Sequence, residues 1–536
     1  MDTEMFELQK FLFEQAPTRL QLLNYSARLP KQYRITVYRN HSFELVEHTI
    51  VPYLEYAGIG AEFTYSDYDD SLSFHDLDAS ADLMILWLDF SRYKMQDVGA
   101  FLRERLDFLH TIFLRPVLVV PFEGEFETKR SDECCYSLAA VRESLGKKFT
   151  DLRLEPFSGT KMSAAACMGA ARDLGLKYIP ALLKPALKAV IVDLDNTLYR
   201  GVLGEDGAKN LVLTEGHVRL QKRLKELSQQ GFFLCAVSKN DARDVEELFR
   251  LREDFPLRAN CFTKVAASWN AKADSIAELS SYLNIGMDSM LFVDDNPGEL
   301  FAVQHAIPQI HEIRAEADAS VTADVLENYP GLLKLHAVAE DGIRKNDLQA
   351  NELRARLQSS AKSEEEYLRS LAVKLIYSVD EPAQAERISQ LANKTNQFIF
   401  NYKRYPVAQI EEMMQGEDSA VVSVSLSDKL SDSGIICVCA ARRRGDTAEI
   451  EDCLVSCRAL GRGLDDLIVL GAIRAAADRL RCSRVRVLFQ KGERNLPAEK
   501  FVEQNLRECL EDGAEFRYRL PEGPAEIEIR EGKVEK

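Results

Sequence analysis

Apolar residues form short continuous runs in the first 300 residues, and amphipathic stretches with helical spacing separate these runs. Continuous runs in this arrangement are typical of a parallel sheet covered by helices on both faces. In the first part of the chain the runs are YRITVY at 33–38, ADLMILWLDF at 81–90 and RPVLVVPF at 115–122. The pattern predicts a first α/β domain over residues 1–180.

The same pattern continues over residues 181–330, but here each predicted strand ends in polar residues. The runs are KAVIVDLDNT at 188–197, GFFLCAVSKN at 231–240 and SMLFVDDNP at 289–297. Open parallel sheets bind ligands beyond the carboxyl ends of their strands, so these three polar ends should converge. We therefore predict a second α/β domain with an active site at this edge.

Beyond residue 371 the apolar positions alternate with a period of two, and a helical stretch follows. This predicts a mixed α+β domain over 371–536, joined to the second domain by a charged helical connector at 331–370. The alternating runs are AVKLIYSV at 372–379, AVVSVSLSD at 420–428, GIICVCAARR at 434–443 and TAEIEDCLVS at 447–456, and the helical stretch is GLDDLIVLGAIRAAADRL at 463–480.

Composition narrows the class of protein. The 536 residues include 68 Lys plus Arg against 85 Asp plus Glu, a net charge of -17, which disfavours nucleic acid and anionic membranes as partners of the whole molecule. No apolar run approaches the roughly 18 residues of a membrane span, and the start MDTEMFELQKFLFEQ is too acidic for a signal peptide. We expect a cytoplasmic protein.

Two carboxylates stand two residues apart at the end of the first predicted strand of the second domain. Asp193 and Asp195 point to the same side of an extended chain, where they repel each other unless a cation or a shared proton neutralises them. Magnesium prefers oxygen ligands and is commonly held by one or two carboxylates plus a substrate phosphate. Asp294 and Asp295, at the end of another strand, would complete a Mg²⁺ site.

Phosphate chemistry also needs a hydroxyl donor and a cation near the phosphoryl oxygens. Ser238 and Lys272 follow in the expected order, and Asn196 and Thr197 are further candidates for binding phosphate. Strand-end serines and helix lysines are ordinary features when they occur alone. Together with the carboxylates, each at a strand end or in an early helix turn, they indicate a phosphate-handling enzyme.

The set DLDNT, VSKN, Lys272 and DDNP resembles the four motifs of the haloacid dehalogenase (HAD) phosphatase superfamily. The longer stretches VDLDNTLYRGVLGEDG and LFVDDNPGE resemble its subfamily IIIC, the FkbH-like proteins. The resemblance implies that Asp193 is a nucleophile that forms an aspartyl-phosphate and that Asp195 is a general acid/base. It also implies that Ser238 and Lys272 bind phosphate, and that Asp294 and the backbone carbonyl of Asp195 hold magnesium. Whether Asp295 ligates the metal or orients the site stays open.

Spacing argues against a separate cap domain over this site. About 45 residues separate Asp193 from Ser238, and about 34 separate Ser238 from Lys272, which leaves room for little beyond the obligatory crossover helices. The glycine-rich YRGVLGEDG can form only a small flap. We expect a capless, Rossmann-like HAD domain whose site is open to a large substrate or to an arm carried by another domain.

The third domain contains an R-x-x-G-x-G motif between a predicted strand and a helix. Its residues Arg458, Gly461, Arg462 and Gly463 are candidates for binding pantetheine or coenzyme A through backbone N–H groups and a helix amino terminus. A simple strand-to-helix turn would carry the same glycines. The stretch ERNLPAEKFVEQN at 493–505 resembles GNAT acyltransferases, and LANKTNQFIFNYKRY at 391–405 resembles FkbH-like proteins.

Cysteine chemistry is possible at the same motif. Cys453 and Cys457 are expected on one face of the preceding strand by the two-residue period. Cys457 would lie beside Arg458 and a helix amino terminus, surroundings that favour a nucleophilic thiolate, so it is our candidate for carrying an acyl group. Burial as a small apolar residue is the competing interpretation, and it is the favoured one for Cys453.

In FkbH-like proteins the amino-terminal region resembles an SGNH-hydrolase fold, which residues 30–125 match loosely as an SGNH/flavodoxin-like domain. After the first strand the sequence reads VYRNHSFE, without a Gly-Asp-Ser block. His41 and Ser42 are expected to be structural, because adjacent residues of an extended chain point apart. We predict a non-catalytic docking or scaffold module.

The resemblance implies a phosphorylated three-carbon substrate of the 1,3-bisphosphoglycerate type and a glyceryl thioester on an acyl carrier protein, for natural-product biosynthesis. If Asp193 attacked the acyl phosphate, glycerate would leave with its activation lost, so the acyl group should pass to a thiol such as that of Cys457. Three alternatives stay open. They are a plain magnesium-dependent phosphatase of small phosphoesters, an inactive scaffold that binds carrier proteins, and an acyl-coenzyme A-dependent acyltransferase acting on a sugar or an amine.

Overall fold

The structure is a computed structural model, which divides into two compact units, Met1–Ala337 and Val338–Lys536. The residues that the structure describes are 2–68, 72–130, 132–153, 155–335, 350, 353–354, 357–358, 361, 363–395, 397–460, 462–492, 495–521, 523 and 525–532. Most of the predicted connector at 331–370 lies outside these residues.

The first sheet of the amino-terminal unit has five parallel strands in the order β2-β1-β3-β4-β5. All six residues of β3 are buried, as expected for a central strand covered on both faces. The strands are β1 Tyr33–Arg39, β2 Ala61–Tyr65, β3 Leu83–Leu88, β4 Val117–Pro121 and β5 Glu133–Cys135. The helices are α1 Asp2–Gln9, α2 Arg19–Leu23, α3 Glu44–Tyr56, α4 Val98–Ile112, α5 Ala139–Leu145, α6 Glu155–Ser158, α7 Ala164–Asp173 and α8 Ile179–Leu183, with π-helical turns at Lys10–Glu14 and Leu174–Tyr178.

The second sheet of this unit is also parallel and five-stranded, in the order β10-β9-β6-β7-β8. β6 is therefore flanked by β9 and β7, the other two strands that the sequence predicts to end in polar residues. The strands are β6 Ala189–Val192, β7 Phe233–Ser238, β8 Lys264–Ala267, β9 Met290–Asp294 and β10 His311–Arg314. The helices are α9 Leu203–Asp206, α10 Glu215–Gln229, α11 Ala242–Leu251, α12 Lys272–Leu283, α13 Pro297–Ala306 and α14 Ala319–Glu327.

An apolar core joins helices of the first part of this unit to the second sheet. Phe13 and Tyr56 from the first part pack with Leu187 and Tyr329 from the second, and the rings of Tyr56 and Tyr329 meet edge-on at 5.9 Å. An ion pair of 2.6 Å between Arg172 and Asp324 lies beside this core. These contacts fix the amino-terminal part against the second sheet. The boundary between the first two domains at residue 180 stays a prediction.

The carboxyl-terminal unit is built on one mixed seven-stranded sheet in the order β16-β15-β14-β13-β12-β11-β17. β11 to β14 pair antiparallel, whereas β14 with β15 and β11 with β17 pair parallel. The strands are β11 Lys374–Val379, β12 Ser419–Ser427, β13 Asp432–Arg444, β14 Thr447–Val455, β15 Arg484–Val487, β16 Ala514–Glu515 and β17 Glu526–Glu531. The helices are α15 Glu364–Leu371, α16 Ala385–Lys394, α17 Val407–Gln415, α18 Asp465–Arg479 and α19 Leu496–Asn505.

The prediction of two parallel α/β sheets followed by an α+β region is confirmed at this level. The SGNH-like and GNAT-like assignments stay predictions. None of the helices in the described part of the chain is both long and apolar enough to cross a membrane.

Candidate functional site

The carboxyl ends of β6, β7 and β9 meet at the middle of the second sheet. Asp193 directly follows β6, Ser238 is the last residue of β7, and Asp294 is the last residue of β9. The backbone N–H of Asp193 donates to the carbonyl of Val293 at 2.9 Å, which holds the β6 and β9 ends together. The three polar strand ends therefore lie side by side, in the arrangement that the sequence predicts.

A buried lysine joins two of the carboxylates. Lys272, the first residue of α12, places its Nζ 2.9 Å from Asp193 Oδ1 and 2.5 Å from Asp294 Oδ2. The residues are almost fully buried, with exposed fractions of 5% for Asp193 and Lys272 and 0% for Asp294. Buried charges are tolerated when they are paired and hydrogen-bonded, so this contact orders the centre of the site.

One ammonium does not balance the acidic groups around it. Burial raises the pKa of Asp193 and of Asp294 above their ordinary values, although Lys272 opposes the shift. Burial, together with the charge of Asp294, also raises the pKa of Asp295. Excess buried negative charge of this kind is the condition that a bound cation relieves.

The acidic group fits a magnesium ion in donor type and spacing. Carboxylate oxygens of Asp193, Asp294 and Asp295 lie within 4.8 Å of one another. Ligands at about 2.1 Å in an octahedron are about 3 to 4 Å apart, so a small adjustment of side chains would bring these oxygens to a common ion. The side chain of Asp195 is not part of this group, which leaves its backbone carbonyl as the predicted contribution.

Three donors hold the carboxylate of Asp195 in one orientation. The Tyr199 hydroxyl and the Leu203 N–H donate to Oδ1 at 2.8 and 2.9 Å. The side-chain amide of Asn240 donates to Oδ2 at 2.8 Å. A carboxylate fixed in this way is positioned to exchange a proton with one particular atom of a substrate.

Asn240 and Tyr199 are site residues that the sequence analysis did not assign. Asn240 is 4% exposed, and its amide also lies 2.8 Å from Ser238 Oγ, so it connects Ser238 to Asp195. The signal was present in VSKN, because Ser238 and Asn240 are two residues apart at a strand end. Tyr199 carries no comparable signal, since its contact with Asp195 depends on how the chain folds after β6.

Thr197 and Asn196 differ in how the structure uses them. Thr197 is 2% exposed, and its Oγ1 has no hydrogen-bond partner among the described residues. Asn196 is exposed in the left-handed region with φ of 52°, and its side-chain oxygen accepts from the Gly201 N–H at 3.0 Å. Thr197 therefore retains bonding capacity for a ligand, whereas Asn196 shapes the turn after the strand.

The segment after the turn forms a small flap. Arg200 and Val212 exchange backbone hydrogen bonds of 2.9 and 3.0 Å, and the four-residue α9 lies between them. Gly201, with φ of 117°, allows the sharp turn into it. The Arg252 guanidinium donates to the carbonyl of Leu211 at 2.7 Å and fastens the far side. Between β6 and β7, all of which the structure describes, the flap and α10 are the only elements, so no cap domain is inserted.

The candidate cysteines of the carboxyl-terminal unit are separated by the end of their strand. β14 ends at Val455, so Cys457 lies in the following turn, and the prediction that it shares a strand face with Cys453 is wrong. Cys453 is fully buried, with its Sγ 4.0 Å from that of Cys437. Cys457 is partly exposed and stays our candidate for acylation.

The candidate pantetheine motif is occupied largely by internal contacts. Arg458 is 8% exposed, and its guanidinium donates to the Ile435 carbonyl at 3.1 Å. Arg462 lies 3.8 Å from Asp428. Gly463 has φ of 72°, while Gly461 lies outside the described residues. The first turn of α18 contains two carboxylates, Asp465 and Asp466. A pantetheine role for Arg458, Gly461, Arg462 and Gly463 stays a prediction.

The FkbH-like stretch at 391–405 lies within the same sheet. β14 pairs with β15 only over Thr447–Ile450, and beyond this point the Phe400 N–H donates to the Cys453 carbonyl at 3.0 Å. The buried Asp452 carboxylate accepts from the backbone of this stretch at Phe400, Asn401 and Lys403, at 2.8 to 3.0 Å. The stretch thus fills the space where β14 and β15 diverge.

At the first sheet, the residues after β1 are held by internal contacts, and their expected structural role stays a prediction. His41 is 1% exposed, with Nδ1 2.9 Å from Thr160 Oγ1 and its ring stacked on Trp87. The Ser42 hydroxyl donates to Glu44 at 2.5 Å. Neither side chain faces a catalytic partner in the described part of the chain.

Comparison with known proteins gives structural neighbours only, since no family model and no curated protein matches the chain. The N-terminal part of a Bacteroides fragilis protein, containing a phosphatase domain and complexed with Mg, is 19% identical over 62% of this chain and 98% of its own, with a TM-score of 0.42. The 3-deoxy-D-manno-octulosonate 8-phosphate phosphatase of Moraxella catarrhalis, in complex with magnesium, phosphate and KDO, is 13% identical over 27% of this chain and 89% of its own, with a TM-score of 0.21. A HAD-superfamily hydrolase from Ehrlichia chaffeensis is 13% identical over 27% of this chain and 99% of its own, with a TM-score of 0.20. The FkbH-like subfamily stays a prediction.

Proposed function

We propose that the chain is a magnesium-dependent phosphatase of the HAD type in which Asp193 is the nucleophile. The observation that carries this proposal is the buried group of Asp193, Lys272 and Asp294, with Ser238 on the neighbouring strand end. Paired carboxylates, a cation and a hydroxyl at one sheet edge are the parts that phosphoryl transfer requires. The described residues 181–335 leave this edge with only a small flap.

The proposed reaction has two displacement steps on phosphorus. Lys272 holds Asp193 through Oδ1, and the other carboxylate oxygen attacks the phosphoryl group. The bond from phosphorus to the leaving oxygen breaks, and Asp195 gives that oxygen its proton. Water then attacks the aspartyl-phosphate, Asp195 takes a proton from the water, and inorganic phosphate leaves with Asp193 restored.

The remaining side chains position these groups. Asn240 and Tyr199 keep Asp195 in the orientation needed for both proton transfers. Ser238 and Thr197 are assigned to the phosphoryl oxygens, Ser238 by its place at the strand end and Thr197 by its unpartnered hydroxyl. Asp193, Asp294 and Asp295 would hold Mg²⁺, which when bound would neutralise them and attract phosphoryl oxygens.

We further propose the finer function that the FkbH-like motifs imply. The Cys457 thiolate attacks the acyl carbon of a 1,3-bisphosphoglycerate-type substrate, the carbon–oxygen bond to the acyl phosphate breaks, and inorganic phosphate leaves. Asp193 removes the remaining phosphate ester, and an acyl carrier protein thiol takes the glyceryl group from Cys457 by thioester exchange. The partial exposure of Cys457 supports this role, and the order of the last two steps is open.

The phosphatase proposal is tested by phosphate release from a panel of phosphoesters with magnesium present. Asp193→Asn is expected to reduce kcat by more than about 1,000-fold, because the amide cannot act as the nucleophile. Chelation of the metal should abolish turnover and magnesium should restore it. Equal turnover by wild type and Asp193→Asn would contradict the assignment and favour a scaffold role.

The transfer proposal is tested by mass detection of the carrier protein after incubation with enzyme and substrate. Cys457→Ala is expected to abolish acylation of the carrier, and Cys453→Ala is the matched control for loss of a thiol from this region. Phosphate release without any acylated carrier in the wild type would leave a plain phosphatase. Coenzyme A binding without affinity for a carrier would favour acyl-coenzyme A-dependent transfer.

A further inference from the structure

An exposed tryptophan lies in the loop that joins β8 to α12. The chain has 2 tryptophans, of which Trp87 is fully buried and Trp269 is 76% exposed. Single exposed apolar side chains are ordinary on protein surfaces, so exposure alone assigns no role to Trp269. The position of the loop distinguishes this residue.

Both ends of the loop are fastened to the candidate active site. The backbone N–H of Ser268 donates to the carbonyl of Ser238 at 3.0 Å. At the other end, Lys272 is the residue that contacts Asp193 and Asp294. Trp269 is one residue from the first anchor and three from the second, and three extended residues span about 10 Å. The backbone of Trp269 is therefore held at the rim of the phosphate-handling group, and its exposed indole is within reach of a ligand bound there.

The surroundings leave this indole available to a ligand. The residues 269–271 are exposed, whereas Lys272, directly after them, is buried. The flap of residues 200–212 contributes only the four-residue α9, and the fully described gap between β6 and β7 contains no cap. In an open site, the groups that bind the phosphoryl group do not select its leaving group, so selection depends on the rim. An aromatic side chain can bury 150 to 250 Å², roughly, when a ligand covers it.

We propose that Trp269 is a specificity-determining residue that packs against a planar or apolar part of the leaving group, so that the site favours phosphoesters bearing such a part over small, fully polar ones. This inference rests on the proposed phosphatase function. A free three-carbon phosphoester offers no such surface. The same group attached to an apolar arm does, which agrees with an open site that admits a carried substrate.

The first test compares two substrates, an aryl phosphate and 3-phosphoglycerate, in the full-length protein with magnesium. Trp269→Ala should raise KM for the aryl phosphate about fivefold to tenfold, which is the size of an aromatic contact. It should change kcat/KM for 3-phosphoglycerate by less than about twofold, because the small substrate does not reach the indole. Trp269→Phe should retain most of the discrimination. Phe157→Ala removes another exposed aromatic side chain, outside the second sheet, and is the matched control.

The second test uses the fluorescence of the two tryptophans. Because Trp87 is buried, quenching by acrylamide reports mainly on Trp269. A non-hydrolysable aryl phosphonate with magnesium should lower the quenching constant about twofold or more, whereas inorganic phosphate should leave it unchanged. Unchanged quenching at a phosphonate concentration that inhibits the enzyme would overturn the proposal.

The two proposals fail in different ways. If the wild type releases phosphate from no ester of the panel, these two included, the phosphatase function is wrong. If it hydrolyses the aryl phosphate and Trp269→Ala affects both substrates equally, or neither, the phosphatase function stands and the role of Trp269 is wrong.

Discussion

The carboxyl edges of the two parallel sheets contain similar residue types but differ in how the charge of their carboxylates is compensated. At the first sheet, Asp89 follows β3. Its carboxylate accepts hydrogen bonds from the Lys161 ammonium at 2.8 Å and from the Ser91 hydroxyl at 2.6 Å. Burial alone would raise the pKa of Asp89, but the hydrogen bonds from Lys161 and Ser91 outweigh it and hold that pKa below its ordinary value. The charge at this edge is neutralised by the chain itself.

At the second sheet the balance is reversed. The ammonium of Lys272 contacts Asp193 and Asp294, Asp295 lies beside them, and burial raises the pKa of all three carboxyl groups. A carboxylate with internal partners stabilises the fold, whereas carboxylates left in excess are held ready for a cation and a phosphate. Two edges of similar architecture therefore differ in charge balance, because the carboxylate at one of them is neutralised by the protein's own side chains.

Arg92 and residues 155–161 cover the carboxyl edge of the first sheet. Arg92 donates to the Asn40 carbonyl at 3.1 Å and to Glu155 at 3.0 Å. Thr160 and Lys161 contact His41 and Asp89 from the same segment of chain. The crevice beyond β1 and β3, where a ligand would otherwise bind, is filled by the protein's own residues.

Between the two edges, the largest difference is expected in how a substitution of a carboxylate changes kcat/KM. Asp294→Asn should lower kcat/KM at low magnesium by about 100-fold, because it removes a carboxylate from the proposed metal site. Asp89→Asn should leave kcat/KM within about twofold of wild type. Phosphate release measured across a magnesium titration checks both, and higher magnesium should partly rescue Asp294→Asn. Equal losses in the two variants would remove the functional distinction between the edges.

A second prediction concerns Asn240 as a positioning residue. Asn240→Ala should lower kcat about 10- to 100-fold with a smaller change in KM, because Asp195 and Ser238 lose their shared donor. Asn328, which is buried in the same unit and bonds the Asp324 carbonyl, provides the matched control Asn328→Ala. Steady-state kinetics with Tm measurements distinguish positioning from folding. A loss of Tm with unchanged kcat would contradict the positioning role.

A third prediction sets stability at the two edges against each other. In metal-free protein, Asp89→Asn should lower the free energy of unfolding by about 1 to 3 kcal/mol, the size of hydrogen bonds to a charged group. Asp295→Asn should raise it. The Asp295 pKa lies above its ordinary 3.8, so its charged form is the disfavoured one in the fold, and stability falls as pH rises through that raised pKa.

Urea unfolding at pH 7 with a chelator checks the signs of both changes. Added magnesium should stabilise the wild type more than Asp295→Asn, because the variant offers one carboxylate fewer. Two changes of the same sign in metal-free protein would show that the edges do not differ as described.

A pH dependence of stability is also expected at the first-sheet edge. Burial lowers the pKa of His41 from 6.5 to about 3. Between these values the unfolded chain binds a proton that the folded chain does not. The free energy of unfolding should therefore fall as pH drops, by up to about 1.4 kcal/mol per pH unit. His41→Phe keeps an aromatic ring on Trp87 and should flatten this slope, while the exposed His305→Phe should not.

Much of the fold can be predicted because a strand that is buried on both faces is a continuous apolar run in the sequence. β3, β4, β6, β7 and β9 lie within the apolar runs that the sequence analysis marks, and β1 extends one residue, Arg39, beyond its run at 33–38. The edge strands β2, β5, β8 and β10 were missed. They are short, with three to five residues each. Most residues of β2, β8 and β10 are only partly buried or exposed, so these strands need no continuous apolar run. Cys457 was placed on a strand because periodicity does not show where a strand ends.

The amino-acid sequence alone shows which residues end the central strands. The runs VIVDLD, LCAVS and LFVDD place carboxylates and a hydroxyl directly after apolar segments, and this local order is enough to indicate a metal and phosphate site. The spacing between them also excluded a large cap, since chain length sets an upper limit on what can be inserted.

Which of the two sheet edges keeps uncompensated carboxylates depends on contacts that form only in the folded protein. The strand order places β6 between β9 and β7, brings Asn240 and Tyr199 to Asp195, and closes the first edge with Lys161. The contacts of Asn240 with Asp195 and of Lys161 with Asp89 join residues far apart along the chain, and their formation depends on packing over the whole unit. Local periodicity carries no information about such pairings, because it records only which side of its own element each residue occupies.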